Sequence, residues 1–280
     1  MSEEGTIKAS RNPISMHSLY QEMIKLGVNS ADALLIHSSM SSLGWVCGGA
    51  QAVVATLLET IGASDTLKNG GTLVMPAHSG DWSDPAEWEN PPVPKDWVQV
   101  IYDNMPAYEP ELTPTRGMGR IAELFRTFPG VIRSNHPQVS FCAKGRYAEH
   151  ITCGHSLSPQ FGMGSPLGKM YAMNAKVLLL GVGYDSCTSF HLAETLLEGM
   201  PVKRMGTAML EKGQRTWKWF DDFAYNSDDF QLLGKAFEEA GTVKIGKIGN
   251  AECRLFEMKD GVDFALKWFR ENRVGGMRSG

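Results

Sequence analysis

Apolar β-like runs alternate with amphipathic helical patterns over the first two thirds of the chain, and this alternation restricts the folds open to it. The candidate strands are Ala33–Ile36, Gly71–Met75, Val139–Ala143 and Lys176–Val182. The helical patterns between and after them are about Ala50–Ile61, Arg120–Phe128, Arg146–Cys153 and the segment that carries His191. Strands that alternate with helices favour an α/β layered sandwich with a largely parallel sheet.

The last third of the chain follows a different pattern. Met205–Phe220 is typical of an antiparallel hairpin that turns at Lys212-Gly213. Two helical patterns and a β segment follow, at Asp228–Ala240, Gly261–Arg273 and Ala251–Met258. We expect residues 204–258 to form a hairpin-and-helix extension, but periodicity does not decide between an extension of the main sheet and a subdomain.

The composition excludes several classes of protein. The chain has 280 residues, of which 42% are hydrophobic and 21% charged, as in ordinary soluble domains. Its formal net charge of -4 argues against a nucleic-acid-binding surface, which is normally basic. No apolar run approaches the roughly 18 residues that span a membrane, and residues 1–11 are too polar for a signal peptide. Five scattered cysteines without a CxxC pair indicate reduced thiols, so we expect a cytoplasmic protein without a nucleic-acid or membrane partner.

The segment Lys176–Glu194 is the strongest candidate for chemistry. Its apolar strand ends in a glycine-containing turn and leads into a helix on which His191 and Glu194, three residues apart, share one face. Ligands commonly bind at such junctions, and the histidine is a candidate base near neutral pH beside a carboxylate that orients it. Alternatively, the pair stabilises the helix surface by about a few tenths of a kcal/mol. The chain has no HExxH motif, and we expect no metal site.

Three other features have either a functional or a purely structural interpretation. The loop His37–Gly49 follows the first strand and precedes a helix, so its hydroxyls, glycines and amides either bind a ligand or form an ordinary connection. Arg133 is either an anion clamp or a structural cation. Cys187 lies four residues before His191 and would be the nucleophile of a hydrolase, although a buried inert cysteine is commoner.

Residues 77–118 form a long stretch rich in acids and tryptophan. The acids are Asp81, Asp84, Glu87, Glu89, Asp96, Asp103, Glu109 and Glu111, against Lys95 and Arg116. Irregular segments of this length are usually functional or disordered. The tryptophans, Trp82, Trp88 and Trp97, favour an ordered and packed segment.

Several short motifs follow one another between about Met16 and Met200. They are Leu34–Ser39, Leu43-Gly44, Gly48-Gly49, Gly71–Pro76, Met118-Gly119, Arg133–Pro137 and Phe190–Glu194. In this order and spacing they resemble the aminoglycoside 3-N-acetyltransferase family. The resemblance implies a single domain over residues 1–280, folded as a three-layer α/β/α sandwich around a mixed sheet and distinct from the GCN5-related acetyltransferases.

The resemblance also implies acetyl-coenzyme A (acetyl-CoA) as the donor and the 3-amino group of a 2-deoxystreptamine aminoglycoside as the acceptor. His191 and Glu194 would be the catalytic pair. The implied donor-binding residues are His37, Ser38, Ser39, Ser41, Leu43 and Gly44, with Ser134 and Arg133 nearby and Arg133 a candidate for the nucleotide phosphate. The transfer passes through an oxyanion, and Thr188, Ser189 or nearby backbone N–H groups are candidate donors to it.

A polycationic sugar suits a cleft lined by carboxylates, so we place residues 77–118 near the acceptor. Candidate acceptor-binding residues are Asp81, Glu109, Asp221 and Asp222, each of which could instead lie on a solvated surface. Two alternatives stay open: an N-acyltransferase of the same family with a non-antibiotic acceptor, and a non-catalytic CoA-binding protein. The apolar positions of Val262–Phe269 could face the core or a second copy of the chain, so a homodimer is a further hypothesis.

Overall fold

A mixed β-sheet lies at the centre of the fold. The computed structural model describes residues 3–10, 12–63 and 70–274, within which seven strands form this sheet and two form a separate hairpin. The strands are β1 (Ala33–Ser38), β2 (Thr72–Pro76), β3 (Ile132–Arg133), β4 (Phe141–Gly145), β5 (Lys176–Leu180), β6 (Val202–Glu211), β7 (Gln214–Phe223), β8 (Lys244–Ile248) and β9 (Ala251–Glu257).

The strand order in the central sheet is β3-β4-β2-β1-β5-β9-β8. β1 is parallel to β2 and β5, whereas β4 is antiparallel to β2 and β3, and β9 is antiparallel to β5 and β8. The prediction of a largely parallel sheet is therefore wrong, and the mixed sheet implied by the family resemblance is confirmed. For β8 and β9 the reason is connection length: Gly249-Asn250 alone links the two strands, and so short a link can only reverse the chain.

Helices cover both faces of the central sheet. The helices of the described residues, some of which lie away from the sheet, are α1 (Glu3–Ala9), α2 (Met16–Leu26), α3 (Met40–Leu43), α4 (Gly49–Thr60), α5 (Trp97–Asn104), α6 (Gly119–Arg126), α7 (Ala148–Thr152), α8 (Pro166–Ala172), α9 (Phe190–Glu194), α10 (Phe230–Glu239) and α11 (Met258–Phe269), which continues into a π-helical turn at Arg270–Val274. As far as the structure describes the chain, none of these helices has the length and apolar composition to cross a membrane.

Two hydrophobic cores lie on opposite faces of the sheet. Side chains of α2, α4 and α6 form one core, and those of α7 to α11 form the other. The pleat of β1 assigns Leu34 and Ile36 to the first core and Leu35 to the second, because successive strand residues point to opposite faces. The predicted three-layer α/β/α sandwich is therefore confirmed.

The strands β6 and β7 form the two-stranded hairpin apart from the central sheet. The hairpin turns at Lys212-Gly213, as predicted, and the positive φ angles of these residues (51° and 79°) match the twist of the flanking strands. It packs on the acid- and tryptophan-rich segment: the amide of Tyr108 donates to the carbonyl of Ala208 (2.9 Å). Since β8 and β9 extend the central sheet, the last third of the chain is divided between two structures.

The three parallel strands position the site. They are β2, β1 and β5, and they end at Pro76, Ser38 and Leu180. Strand β1 is the central one of the three. The chain next forms β2 on one side of β1 and later forms β5 on the other side, and this reversal of strand order opens a crevice outside the carboxyl ends of the strands. The loops that follow the three strands meet at that edge.

Gly145, at the end of β4, allows a close approach of β4 to the start of β2. A Cβ at this position would overlap the carbonyl oxygen of Gly71 and lie 2.9 Å from Cα of Thr72, and φ is +122°. Because backbone atoms cannot move aside as a flexible side chain can, we expect Gly145→Ala to lower the free energy of unfolding by about 3 kcal/mol in urea denaturation.

Gly154→Ala is the matched control for Gly145→Ala. This glycine also has a positive φ (+60°), but no atom lies within 4 Å of the added Cβ. We expect the control to lose about 1 kcal/mol from backbone strain alone. Equal losses in the two variants would show that the approach of β4 to β2 is not the constraint.

Candidate active site

His191 and Glu194 form a hydrogen-bonded pair on α9, which begins after the loop from β5. The amide of His191 donates to the carbonyl of Thr188 (3.1 Å) at the start of the helix. Nδ1 of His191 lies 2.5 Å from Oε2 of Glu194. The glutamate side chain is fully buried, whereas 15% of the histidine side chain is exposed. The carboxylate therefore holds the imidazole from inside the fold while the ring still reaches solvent.

The second carboxylate oxygen of Glu194 has partners of its own. Oε1 accepts hydrogen bonds from the amide of Asn226 (3.0 Å) and from Nη1 of Arg273 (2.5 Å). Arg273 also donates to both carboxylate oxygens of Asp229, at 2.7 and 2.5 Å. Burial opposes the charged guanidinium, but the bonds to Asp229 and Glu194 outweigh burial and raise the pKa of Arg273. Such compensation is required, because an unpaired charge inside a protein is strongly destabilising.

Aromatic rings pack around the imidazole of His191. Phe161 stacks on it, with 4.9 Å between ring centroids and 13° between ring planes. Phe230 and Tyr225 contact it at 4.9 and 5.5 Å and at steeper angles, 50° and 74°. With Nδ1 bonded to Glu194 and the ring held by these contacts, Nε2 is the nitrogen left to exchange a proton.

A cavity of about 620 Å³ lies at the edge where β1, β2 and β5 end. It is bounded by the loops after these strands and by Gly117–Arg120 at the start of α6. The predicted site residues that line it are His37, Ser38, Ser39, Ser41 and Thr188. Thr188 lies three residues before His191, so the wall of the cavity adjoins the start of the helix that carries the His191–Glu194 pair.

Serine hydroxyls connect the loop after β1 to the loop after β5. Oγ of Ser42 donates to the carbonyl of Gly181 (2.8 Å) and lies 2.9 Å from Oγ of Ser39. Ser39 in turn lies 3.1 Å from Oγ of Ser41. A Cβ at Gly181 would lie 2.6 Å from Cβ of Ser42, so this approach requires glycine. The contacts fix the polar wall of the cavity.

His37 and His78 also lie on the cavity wall, and burial keeps both imidazoles neutral. Nε2 of His37 lies 3.3 Å from Oγ1 of Thr188. Burial, followed by the proximity of His191, lowers the pKa of His37 to about 3. Burial likewise lowers the pKa of His78 to about 3. Sequence reasoning missed His78, although its position just beyond a parallel strand end is a usable signal.

The partners of the His191–Glu194 pair were also missed. Asn226 and Arg273 lie 32 and 79 residues from Glu194 in the chain, and Asp229 meets the pair only through Arg273. No spacing rule connects positions so far apart. The pattern marked Arg273 only as the last residue of a predicted helix.

Leu43, Gly44 and Ser134 do not border the cavity in the part of the chain that the structure describes. Leu43 is completely buried in the core, and a Cβ at Gly44 would meet the side chain of Asn250. The hydroxyl of Ser134 is 2.9 Å from Nδ1 of His155 and accepts the amide of Phe141. The side chains of these residues support loops and strands, and their contact with the donor stays a prediction.

Arg133 has a structural role in place of the phosphate-binding role implied by the resemblance. Its five N–H groups donate to the carbonyls of Ala77, Pro110 and Thr113 and to the hydroxyls of Ser79 and Ser140. The side chain is buried and has no donor left for a phosphate. It joins β3 to the segment 77–118, as the structural-cation alternative anticipates.

The predicted acceptor-binding acids differ in their surroundings. Asp81 forms an ion pair with Arg116 in which both side chains are largely exposed. Glu109 is exposed in the segment 77–118. Asp221 and Asp222 point to opposite faces of β7, so Asp221 is exposed and Asp222 is buried.

Asp222 holds a loop beside the His191–Glu194 pair. Its carboxylate accepts the hydroxyl of Ser158 (3.1 Å) and the amide of Gln160 (3.0 Å), and burial raises its pKa. The next residue, Phe161, stacks on His191. Each oxygen of Asp222 thus accepts a hydrogen bond from the loop that positions Phe161, and a contact between this buried carboxylate and a ligand stays a prediction.

Cys187 does not have the environment of a nucleophile. It is completely buried, and burial raises its pKa to about 12. Sγ lies 3.1 Å from Oγ of Ser189. A buried thiol that stays protonated argues against the cysteine-hydrolase alternative. Among the residues that the structure describes, no group of three His, Cys, Asp or Glu side chains could hold a metal ion.

The sequence model of the aminoglycoside 3-N-acetyltransferase family matches residues 35–270. The chain belongs to this family. It is 44% identical to the SPbeta prophage-derived aminoglycoside N(3')-acetyltransferase-like protein YokD of Bacillus subtilis, over 95% of this chain and 96% of that protein. It is 32% identical to aminoglycoside N(3)-acetyltransferase VII of Streptomyces paromomycinus, over 97% and 96%.

Solved structures of the family have the same fold. The crystal structure of YokD from Bacillus subtilis superposes with a TM-score of 0.93 at 42% identity, over 97% of this chain and 98% of that chain. A binary complex of AAC-IIIb with CoASH gives 0.80 at 28% identity, over 93% and 97%. AAC-VIa bound to sisomicin gives 0.81 at 27% identity, over 93% and 98%. The predicted family membership is confirmed.

Arg133→Leu separates a structural role from a phosphate-binding role. Loss of the guanidinium removes five hydrogen bonds and leaves the carbonyls of Pro110 and Thr113 without this donor, whereas the carbonyl of Ala77 keeps the hydroxyl of Ser140. We therefore expect the free energy of unfolding to fall by about 3 kcal/mol in urea denaturation. Arg146→Leu is the control, because Arg146 is exposed, and we expect a change within about 0.5 kcal/mol. An Arg133→Leu protein of wild-type stability with a raised KM for the donor would restore the phosphate-binding role.

Proposed function

We propose that this chain transfers an acetyl group from acetyl-CoA to the 3-amino group of a 2-deoxystreptamine aminoglycoside, with His191 as the general base. The observation that carries the proposal is the 2.5 Å contact between Nδ1 of His191 and the buried carboxylate of Glu194, beside the cavity at the strand ends. Support for the substrates comes from family members: AAC-IIIb was solved with CoASH and AAC-VIa with sisomicin.

The pair supplies the step that the acceptor needs. An ammonium group cannot attack a thioester until it loses a proton, and Nε2 of His191 takes that proton while Glu194 stabilises the imidazolium. The neutral nitrogen then attacks the carbonyl carbon, and the carbon–sulfur bond breaks as the amide forms. The imidazolium returns its proton to the departing thiolate, and the nitrogen loses its second proton to solvent, so the products are CoA thiol, the amide, the original base and one released proton. Direct transfer requires both substrates in one orientation and no acetyl-enzyme.

His191 is favoured over the other histidines of this region as the base. Burial lowers the pKa values of His37 and His78 to about 3 and that of His155 to about 4. A base that weak cannot hold the proton of an ammonium group near neutral pH. Among the described histidines of this region, His191 is the one with a buried carboxylate on its ring nitrogen.

The cavity at the strand ends is our proposed donor site. Its serine-rich wall, Ser38 to Ser41, offers hydroxyls and amides to the pantetheine arm and phosphates. Arg120, which also lines the cavity, supplies the positive charge that Arg133 does not. Thr188, between the cavity and His191, is the proposed donor to the oxyanion. Neutral His37, 3.3 Å from the Thr188 hydroxyl, would orient it. One well-placed oxyanion donor is typically worth about 3 kcal/mol in the transition state.

The acceptor is proposed to lie against the segment 77–118 and the β6–β7 hairpin. This part of the molecule presents exposed carboxylates, including those of Glu109 and Asp221, whereas Asp81 would have to exchange Arg116 for a substrate amine. Attraction between these acids and a polycationic sugar would raise its local concentration, an effect that salt screens.

His191→Ala and Glu194→Gln test the proposed base. With acetyl-CoA and gentamicin or tobramycin, we expect the alanine variant to lose about 100-fold or more in kcat, measured as release of free thiol. Glu194→Gln keeps the shape but removes the charge, and we expect a loss of at least about tenfold. The control is His150→Ala, an exposed histidine on α7, which should match the wild type. Thiol release at the wild-type rate by folded His191→Ala would remove this residue from the mechanism.

Cys187→Ser separates direct transfer from a covalent acyl-enzyme. The substitution preserves size and the contact with Ser189, so we expect kcat to change less than about threefold and no acetylated protein to accumulate in mass spectrometry. An inactive but folded serine variant, together with an acylated Cys187 in the wild type, would favour the hydrolase-type nucleophile instead.

A panel of amines tests the acceptor separately from the donor chemistry. We expect aminoglycosides with a free 3-amino group to yield a product acetylated at that nitrogen, identified by NMR. Thiol release with another amine and none with aminoglycosides would keep the transferase chemistry but replace the acceptor. Binding of CoA in calorimetry without turnover of any amine would favour a non-catalytic CoA-binding protein.

A further inference from the structure

We infer that Arg273 is a positioning residue for the His191–Glu194 pair, which it anchors and electrostatically balances from the end of the C-terminal helix. The inference rests on the proposed function, because it concerns the same base. Arg273 lies 79 positions from Glu194 in the chain. Within the described residues, the carboxylate of Glu194 forms two ion pairs, one with His191 and one with Arg273.

The contacts form a continuous chain from the base to a second carboxylate. Nη1 of Arg273 lies 2.5 Å from Oε1 of Glu194, and Nε and Nη2 lie 2.7 and 2.5 Å from the two oxygens of Asp229. Nη2 also donates to the carbonyl of Asn226 (2.8 Å), the residue whose amide donates to Glu194. The guanidinium carbon lies 3.8 Å from the ring centroid of Phe269. The guanidinium is therefore fixed on several sides, and it fixes Glu194 in turn.

The backbone at the end of α11 is consistent with this role. The α-helix ends at Phe269, and Arg270–Val274 continue as a π-helical turn. A π turn changes the direction in which the following side chains project, and such turns are frequent at functional sites. Here the turn contains Arg273, the residue that contacts the carboxylate of the proposed catalytic pair.

The charges around His191 predict the direction in which each variant shifts its protonation. Glu194 favours the imidazolium form of His191, the positive charge of Arg273 weakens that effect, and Asp229 partly restores it by pairing with Arg273. Removal of the Arg273 charge should therefore keep the base protonated to higher pH. Removal of the Asp229 charge should do the opposite. A residue that only stabilised the fold would produce neither shift.

Other titratable groups that face the pair do not reverse this expectation. They are His37 on β1, His78 after β2, Asp222 on β7 and Tyr225 beyond β7. Burial lowers the pKa values of the two histidines to about 3, so both are neutral across the working range. Burial raises the pKa of Tyr225, which stays protonated, and Asp222 is unchanged in every variant below.

The test is the pH dependence of kcat/KM in folded variants of the full chain. For Arg273→Met we expect the acid limb of the profile to move to higher pH by about 0.5 to 1.5 units, the range for charges a few ångströms apart at an intermediate dielectric. A shift of one unit means about a tenfold loss of kcat/KM on the acid side of the limb. Arg273→Lys keeps the charge and should stay within about 0.3 units of the wild type. Asp229→Asn should move the limb to lower pH.

Arg254→Met is the matched control. Arg254 also pairs with two carboxylates, Glu238 (2.5 Å) and Glu252 (2.6 Å), and lies over an aromatic ring, that of Tyr184 (5.6 Å), with nearly the same exposure of its side chain (18% against 21%). It does not contact His191 or Glu194. We expect it to lose stability as Arg273→Met does but to keep the wild-type pH profile.

Two outcomes would overturn the inference: an unshifted acid limb in folded Arg273→Met, or an equal shift in Arg254→Met. If Arg273→Met does not fold, Asp229→Asn decides, because only a shift to lower pH supports the balance described. A second readout does not depend on turnover: the pH at which the His191 ring protonates, followed by NMR with His191→Ala for assignment, should move in the same directions. If no amine is acetylated, the proposed function fails, and this NMR titration still decides the role of Arg273.

Discussion

The buried carboxylate of Glu194 is the constraint on which the site depends. An ionised carboxylate without exposure is tolerated only when each oxygen is bonded, and here one oxygen bonds the imidazole of His191 while the other bonds Arg273 and an amide. Three separate parts of the chain therefore have to meet at one group: α9, the loop before α10, and the turn after α11. The packing of the second hydrophobic core therefore also brings these three parts of the site together.

The two ends of the site are built differently. The wall at the strand ends comes from the parallel strands β2, β1 and β5, whose loops converge because their carboxyl ends share an edge. The region of the β6–β7 hairpin and the segment 77–118 lies outside the central sheet. Arg133 of β3 joins the segment 77–118 to the sheet, and Asp222 of the hairpin bonds the loop that contains Gln160. The first arrangement depends on a few local motifs. In the second arrangement the exposed acids can be substituted without loss of packing, whereas the buried polar groups are needed for the fold.

The sequence predicted what local spacing controls. An interval of three residues brings His191 and Glu194 to one face of a helix, and Lys212-Gly213 can serve as a two-residue hairpin turn because both residues accept positive φ. The loop after β1 could be read as a binding loop because it follows a strand end. Strand direction was predicted wrongly for β4 and β9, because the residue pattern of a single strand does not distinguish parallel from antiparallel pairing.

The sequence did not predict which charges are buried, and this accounts for the residues that changed role. The family resemblance implied Arg133 as a phosphate ligand, and Asp222 was a candidate because a polycationic sugar suits carboxylates, yet both side chains bond backbone groups inside the fold. Arg273 was not considered, although it contacts the proposed catalytic carboxylate. The burial of a side chain depends on packing between distant segments, so it cannot be inferred from composition and spacing.

The most direct test of the central claim is a structure of the protein with CoA and an aminoglycoside bound together. The account predicts that the 3-amino nitrogen lies within about 3 Å of Nε2 of His191, or one water away, with the sulfur of CoA beside it and Nδ1 still on Glu194. A reacting nitrogen that lies far from this imidazole, or beside a different base, would contradict the account.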